Sequence, residues 1–346
     1  MVASRHSYKR GIKYVGQSAR RCSGRNCGNR SVSRRIHIHL PMFRESQIPA
    51  MEAAFPGREI VSLENEDQFA SEIGEIEYLL ALSPPPDYWP QAKKLKLVHS
   101  IGAGIDHMWP LKGLPEGVII ANASGLVAEP MSEFGLALIL IVRKRIDRAI
   151  SQQRTRTWKR YSPLNVEGST LGILGLGQIG AALARRAAQM GMRVIGTQRT
   201  PKTVEHVDKI YPPDQTIEVA AQSDVLISLL PWTPDTHGLI DETVIRAMKP
   251  GSALVNMGRG GIIDEAAMCR ALEDGHLSGA ALDVMEQEPL PEDSPLWHAP
   301  NLVMTPHIAG VFPTYMEEIA LFFAANVERI EAGQPVPTEI PRDRGY

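Results

Sequence analysis

Cysteine is scarce in this chain: Cys22, Cys27 and Cys269 are the three it holds in 346 residues. So few, so scattered and without a C-x-x-C pair, they exclude a disulfide framework and a structural zinc site, and no metal is expected. A reducing, cytoplasmic setting is expected. Long apolar runs are also lacking. The longest, Phe134 to Val142, stops at Arg143-Lys144-Arg145, far short of the roughly 20 residues a spanning helix needs. No membrane partner is expected.

Acid is absent from the first 35 residues, which hold ten Lys/Arg; the 27 remaining bases face all 39 acids, so the body stands at −12. An acidic body excludes a nucleic-acid partner, because the phosphate backbone is bound by clustered positive charge. Residues 1–34 read as a disordered basic extension. Without an apolar core they are no secretory signal; an organellar transit peptide, a basic arm and a start codon placed too far upstream all fit them.

What the sequence does have is a repeating alternation of short apolar runs and helix-compatible stretches, in a chain long enough for two domains. The first series comprises Arg35 to Leu40, Glu59 to Leu63, Tyr78 to Leu82, Leu97 to Ser100 and Val118 to Ala121, with a helix over Gln47 to Ala54. One long helix is expected from Glu129-Pro130 to about Gln153, its basic end favourable for the helix dipole. A second series runs through Thr170 to Leu174, Arg193 to Thr197, Asp224 to Leu229, Ala253 to Asn256, Gly279 to Asp283 and Leu302 to Thr305. A last helix, Thr314 to Ala332, follows and is expected to return to the first unit. The fold class is therefore α/β, with two doubly wound parallel-sheet domains and a cleft between them. The first, over 35–126 and 316–346, is a flavodoxin-like substrate domain; the second, over 127–315, is a Rossmann dinucleotide-binding domain.

Gly175-Leu176-Gly177-Gln178-Ile179-Gly180 matches G-x-G-x-x-G between an apolar strand and an amphipathic helix. The first glycine permits the turn, the second lets backbone approach a pyrophosphate, and the third lets helix and strand pack closely. Where an NAD enzyme presents an acid after the next strand, this chain has Gln198, followed by Arg199, Thr200 and Lys202. Cation and hydroxyl in place of a carboxylate favour a 2′-phosphate, so NADP(H) is the expected cofactor and NAD(H) the second choice.

Further along stand Val255-Asn256-Met257-Gly258-Arg259-Gly260-Gly261, Ala281-Leu282-Asp283-Val284, Glu288-Pro289 and Thr305-Pro306-His307-Ile308-Ala309-Gly310, each at or after a strand end. Ligands bind at such ends in α/β sheets. Singly, each is weak: a His after a strand is commonly a loop or capping residue, and Glu288 suits a solvated turn. In this order and spacing, from about Leu97 to Gly310, they resemble the D-isomer-specific 2-hydroxyacid dehydrogenase family. The likeness includes Ser100-Ile101-Gly102-Ala103-Gly104-Ile105-Asp106, Leu230-Pro231, Thr233-Pro234 and Thr236. Ile101 departs from the Val common in the family. Gln198-Arg199-Thr200 looks most like the NADPH-dependent glyoxylate/hydroxypyruvate reductase branch.

The resemblance implies reduction of a small 2-keto acid to the D-2-hydroxy acid, with Arg259, Glu288 and His307 as the catalytic set. His307 would donate the proton, Glu288 would orient its imidazole, and Arg259 would fork onto the carbonyl and carboxylate oxygens. Ala103 and Gly104 would hold the carboxylate through backbone N–H groups, together with Arg259 and His307. Gly175, Gly177, Gln178, Ile179, Gly180, Gln198, Arg199, Thr200, Leu230, Pro231, Thr236, Met257, Gly258 and Asp283 would line the cofactor, with Val127 near the cleft. Trp158 and Trp297 could line a substrate pocket, but a Trp is more often a core or domain contact, and neither is assigned to the site. A homodimer through the long helix is implied. Two other functions fit the same fold: a dinucleotide-sensing corepressor-like module, and a dehydrogenase with another donor such as phosphite. Formate enzymes of this fold resemble Gln at position 288, so Glu288 counts against that donor.

Overall fold

The computed structural model describes residues 34–40, 47–108 and 111–342. The basic extension lies outside the described residues except for its last member, Arg34.

Five parallel strands form the first sheet: β1 (Arg35–His39), β2 (Glu59–Ser62), β3 (Tyr78–Ala81), β4 (Leu97–Ser100) and β5 (Ile119–Ala121), in the order β2-β1-β3-β4-β5. Helices α1 (Gln47–Ala54) and α2 (Glu66–Glu72) connect the early strands. Asn65 caps α2 by accepting from the Gln68 amide at 3.0 Å, a contact worth about 1 kcal/mol. Side chains of β3 alternate between two cores, as the two-residue strand period requires. Tyr78 and Leu80 join Ile36, Ile38 and Phe55 on one face, while Leu79 and Ala81 join Phe69, Trp89 and Val98 on the other.

The chain then crosses to the second sheet through α3 (Ala128–Lys144) and α4 (Ile146–Arg154). The single helix expected over Glu129 to Gln153 is in fact two. Arg145 adopts the left-handed conformation (φ 54°, ψ 45°), which ends α3 and starts α4. Its strain is offset locally: the Arg145 guanidinium donates to Asn301 Oδ1 at 2.6 Å and to Asp147, and its carbonyl accepts from the Tyr161 hydroxyl at 2.7 Å.

The second sheet comprises β6 (Thr170–Leu174), β7 (Arg193–Thr197), β8 (Lys209–Tyr211), β9 (Val225–Ser228), β10 (Ser252–Asn256), β11 (Leu277–Leu282) and β12 (Leu302–Met304). All pairs are parallel, in the order β12-β11-β10-β9-β6-β7-β8. Chain direction across the sheet reverses beside β6, and in open α/β sheets the crevice at such a reversal binds ligands. Helices α5 (Gln178–Gln189), α6 (Thr216–Gln222), α7 (Glu242–Ala247) and α8 (Glu265–Glu273) cover both faces. Strands buried on both sides read as continuous apolar runs, and β10 is buried at every residue. β8, absent from the expected strands, is a three-residue edge held by β7.

The final helix, α9 (Tyr315–Glu331), leaves the second sheet and packs on the first. Met316, Ile319, Ala320, Phe323 and Val327 enter the core built by Ile36, Ile38 and Phe55. Neither Trp158 nor Trp297 is a core residue. Trp158 is 94% exposed, on the segment after α4, and Trp297 is 53% exposed, its indole N–H donating to the Pro291 carbonyl. Trp297 lies on a short 3-10 turn, Pro295–His298, that buries Leu296 in the core and leaves the indole outside.

Candidate active site

The glycine turn joins β6 to α5. Gly175 has φ +103°, and a Cβ on Gly180 would stand 2.4 Å from the Gly175 carbonyl oxygen, so both glycines are sterically required. A Cβ on Gly177 would meet nothing within 4 Å, and Gly177 caps α5 without a side-chain hydrogen bond. Open space over a glycine and uncapped helix amides make the cradle that a pyrophosphate requires, so the residues present fit a dinucleotide. The Gln178 side chain crosses to the other lobe, where its Oε1 would lie 2.8 Å from a Cβ on Gly125.

Gln198 is engaged at both ends of its amide. Its Nε2 donates to the Leu176 carbonyl at 2.9 Å, and its Oε1 accepts from the Lys202 amide at 2.9 Å. It therefore ties the glycine turn to the turn after β7, where Arg199 and Thr200 are exposed, as are Pro201 and Lys202. On the far side, Thr236 donates to the Pro231 carbonyl at 2.7 Å and accepts from the Thr233 amide at 2.8 Å, folding the loop after Leu230.

The loop after β10 carries Arg259. Asn256 clamps it by accepting from the Gly258 amide at 3.1 Å and donating to the Arg259 carbonyl at 2.8 Å. Close packing forces glycine here: a Cβ on Gly258 would meet Leu230 O at 2.4 Å, and one on Gly260 would meet Met285 O at 1.7 Å. Met257 is buried beneath the loop. Asp264 ends the loop by capping α8 through the Ala267 amide.

His307 follows β12, with a positive φ of 53°. Such a backbone is held only where its surroundings over-determine it, and Asp283 supplies the restraint. Its buried carboxylate accepts from Thr305 Oγ1 at 2.6 Å, the Ile308 amide at 3.0 Å and the Ala309 amide at 2.9 Å. Its carbonyl accepts from the His307 amide. Asp283, expected beside the cofactor, thus builds the loop that presents His307. Glu288 Oε2 lies 2.7 Å from His307 Nδ1, while its Oε1 accepts from the Met285 amide at 3.0 Å. An ionised carboxylate can only accept, so Nδ1 carries a hydrogen and Nε2 is left to face other groups.

From the first lobe comes the loop after β4. Ser100 Oγ accepts from the Gly102 amide and donates to the Gly104 carbonyl, both at 3.2 Å, and Asn122 donates to the Ala103 carbonyl. Among the described residues the Ala103 and Gly104 amides have no acceptor. Tyr315, at the start of α9, donates its hydroxyl to the Ile101 carbonyl, and burial pushes its phenol up to about 12. Arg259 meets this loop directly. A Cβ on Gly104 would stand 1.9 Å from Arg259 Nη2, and Arg259 Nε lies 2.9 and 3.0 Å from the two oxygens of Asp106.

Two lobes thus meet where the Arg259 guanidinium packs on the first-lobe loop, and the glycine turn, the Arg259 loop and the His307–Glu288 pair all follow the carboxyl ends of strands of the one parallel second sheet. Residues 136–309 match the family model described as D-isomer specific 2-hydroxyacid dehydrogenase, NAD binding domain. The chain belongs to this family. A glyoxylate/hydroxypyruvate reductase A from Photorhabdus laumondii is 30% identical over 307 residues, spanning 86% of this chain and 96% of that protein. Among solved structures, a family member from Xanthobacter autotrophicus Py2 in complex with NADPH and MES has TM-score 0.81 and 32% identity, covering 90% of this chain and 99% of that one. An NADPH-dependent glyoxylate/hydroxypyruvate reductase from Sinorhizobium meliloti, in complex with NADP and sulfate, has TM-score 0.82 and 30% identity over 90% and 99% of the two chains. Membership makes the chain an oxidoreductase with an NAD-binding domain.

Reading residues along the chain missed the parts that hold the site rather than face it. Asn122, Asn256 and the loop-building role of Asp283 are not assigned by it, although each is a polar residue at or directly after the end of a strand. That position was the available signal.

Proposed function

We propose that the chain reduces a small 2-keto acid, glyoxylate or hydroxypyruvate in class, to the D-2-hydroxy acid with NADPH as donor. The observation that carries this reading is Arg259 packed on Gly104 while His307 is paired with Glu288. Charge-matched donors for a carboxylate and a proton donor for an alkoxide are what the reaction demands.

Gly175, Gly177, Gln178, Ile179 and Gly180 would hold the pyrophosphate; Arg199 and Thr200 the 2′-phosphate; Leu230, Pro231, Thr236, Met257, Gly258 and Asp283 surround the rest. When bound, the reduced nicotinamide supplies the hydride. The Ala103 and Gly104 amides and Arg259 bind the substrate carboxylate, and Arg259 polarises the keto oxygen. His307 delivers the proton from Nε2 to that oxygen as it becomes a hydroxyl, and Glu288 steadies the imidazolium through Nδ1. Hydride and proton together account for the two hydrogens gained.

Dimerisation belongs to the same proposal: Ile146, Ile150, Trp158 and Leu164, on α4 or the segment after it, are each more than 40% exposed, and large apolar side chains left in water are what a second copy would cover. Light scattering at twice the chain mass would support it; a monomer would exclude it.

The enzymatic test is the absorbance loss of NADPH with glyoxylate, hydroxypyruvate, pyruvate and phenylpyruvate, run beside NADH. Turnover with the two smallest substrates, faster with NADPH, is expected. Purified chain that turns over no 2-keto acid with either donor would overturn the reading.

A further inference from the structure

Asp106 has no part in the chemistry above, yet it makes the contact that joins the two lobes at Arg259. It opens a short 3-10 turn, Asp106–Met108, directly after the Gly102-Ala103-Gly104 loop. Both its oxygens face Arg259 Nε, and Arg259 Nη1 donates to the Gly258 carbonyl at 2.8 Å. Two of the three guanidinium nitrogens are therefore fixed, one from each lobe. Nη2, which has no acceptor among the described residues, is the nitrogen against Gly104.

We propose that Asp106 is a positioning residue for substrate binding: it turns the Arg259 guanidinium so that Nη2 and the Ala103 and Gly104 amides converge on a single carboxylate. Stability is not the reason for the pair. Its side chains are 25% and 27% exposed, and ion pairs with that access to water contribute little to folding. Orientation is another matter, because a planar fork serves a carboxylate only in one plane. Since the partners lie 153 residues apart on different lobes, the orientation exists only while the first-lobe loop is seated against Arg259. Carboxylate recognition and lobe approach are thereby one event.

The inference rests on the keto-acid reading, and its test separates the two. Calorimetry with oxalate on the NADPH-loaded full chain reads anion affinity without turnover, beside initial rates with glyoxylate and thermal melts. For Asp106→Asn, a tenfold or larger rise in both the oxalate Kd and the glyoxylate KM is expected, with NADPH affinity and melting temperature nearly unchanged. Asp106→Glu should recover part of the loss and covers the case in which the Asn variant folds poorly. Unchanged oxalate affinity in Asp106→Asn would overturn the proposal, as would tighter binding, which would make Asp106 a competitor for Arg259. A wild-type chain whose oxalate affinity falls in Asp106→Asn as expected, but which reduces no keto acid, would sink the parent reading alone.

Discussion

Glu288 and His307 stand as a pair with one oxygen 2.7 Å from Nδ1, and the same carboxylate is anchored by its other oxygen to the Met285 amide. The imidazole is thus oriented by a group that is itself held. His307→Ala should lower kcat by about 10²–10⁴, the range for a lost proton donor. Glu288→Gln should cause a smaller fall, with NADPH affinity unchanged in both. Initial rates and fluorescence titration of the cofactor check this.

Gly104→Ala would place a methyl 1.9 Å from Arg259 Nη2. The guanidinium has to move, and since geometric misplacement of about 1 Å can reduce rate roughly 10²-fold, kcat/KM should fall by about that factor. Far-ultraviolet circular dichroism should match wild type; unchanged kinetics would place Arg259 outside the substrate site.

Arg199→Ala should narrow the preference for NADPH over NADH. A hydrogen bond to a charged group contributes about 1.5–3 kcal/mol, so the ratio of kcat/KM values should drop on the order of tenfold or more while NADH turnover holds. Equal losses with both donors would argue that Arg199 acts on the fold.

Asp283→Ala removes the acceptor of three donors in the 305–309 loop. Stranded buried donors cost about 1–3 kcal/mol each, partly relieved by water, so a stability loss of about 2–4 kcal/mol is expected. Urea denaturation monitored by tryptophan fluorescence measures it, and activity at low temperature should also fall because His307 loses its loop.

His99 sets an acid limit. Burial drives its imidazole down to about 4, with Nδ1 facing the Ser100 carbonyl and Nε2 accepting from Asn326. In the unfolded chain it titrates near 6.5, so between these values the unfolded state binds the extra proton. Stability therefore falls as pH drops through that window, by up to about 3 kcal/mol near pH 4. Denaturant midpoints from pH 7 to 4 should show a shallower decline in His99→Gln than in wild type.

Much of this was legible along the chain because buried parallel strands leave continuous apolar runs and because the glycine turn and the Arg259 loop carry residues that packing permits no substitute for. β8 was invisible for the opposite reason: Lys209–Tyr211 is a short edge with one exposed end and no pattern of its own. The break at Arg145 was hidden too, since Arg143-Lys144-Arg145-Ile146-Asp147 contains neither glycine nor proline, and the left-handed residue is held by the distant Asn301 and Tyr161. Within the site, chain order pointed to Arg259, Glu288 and His307. It could not pair Arg259 with Asp106, because that contact is set by how two sheets meet.

The return of α9 to the first lobe governs the order in which the nascent chain can mature. Ile36, Ile38 and Phe55 are made early, yet Phe323 and Val327, which close their core, leave the ribosome only after the whole second sheet. At about 5–20 residues per second, the earlier half must wait some tens of seconds with apolar surface uncovered. The lobe begun first is the last to be completed.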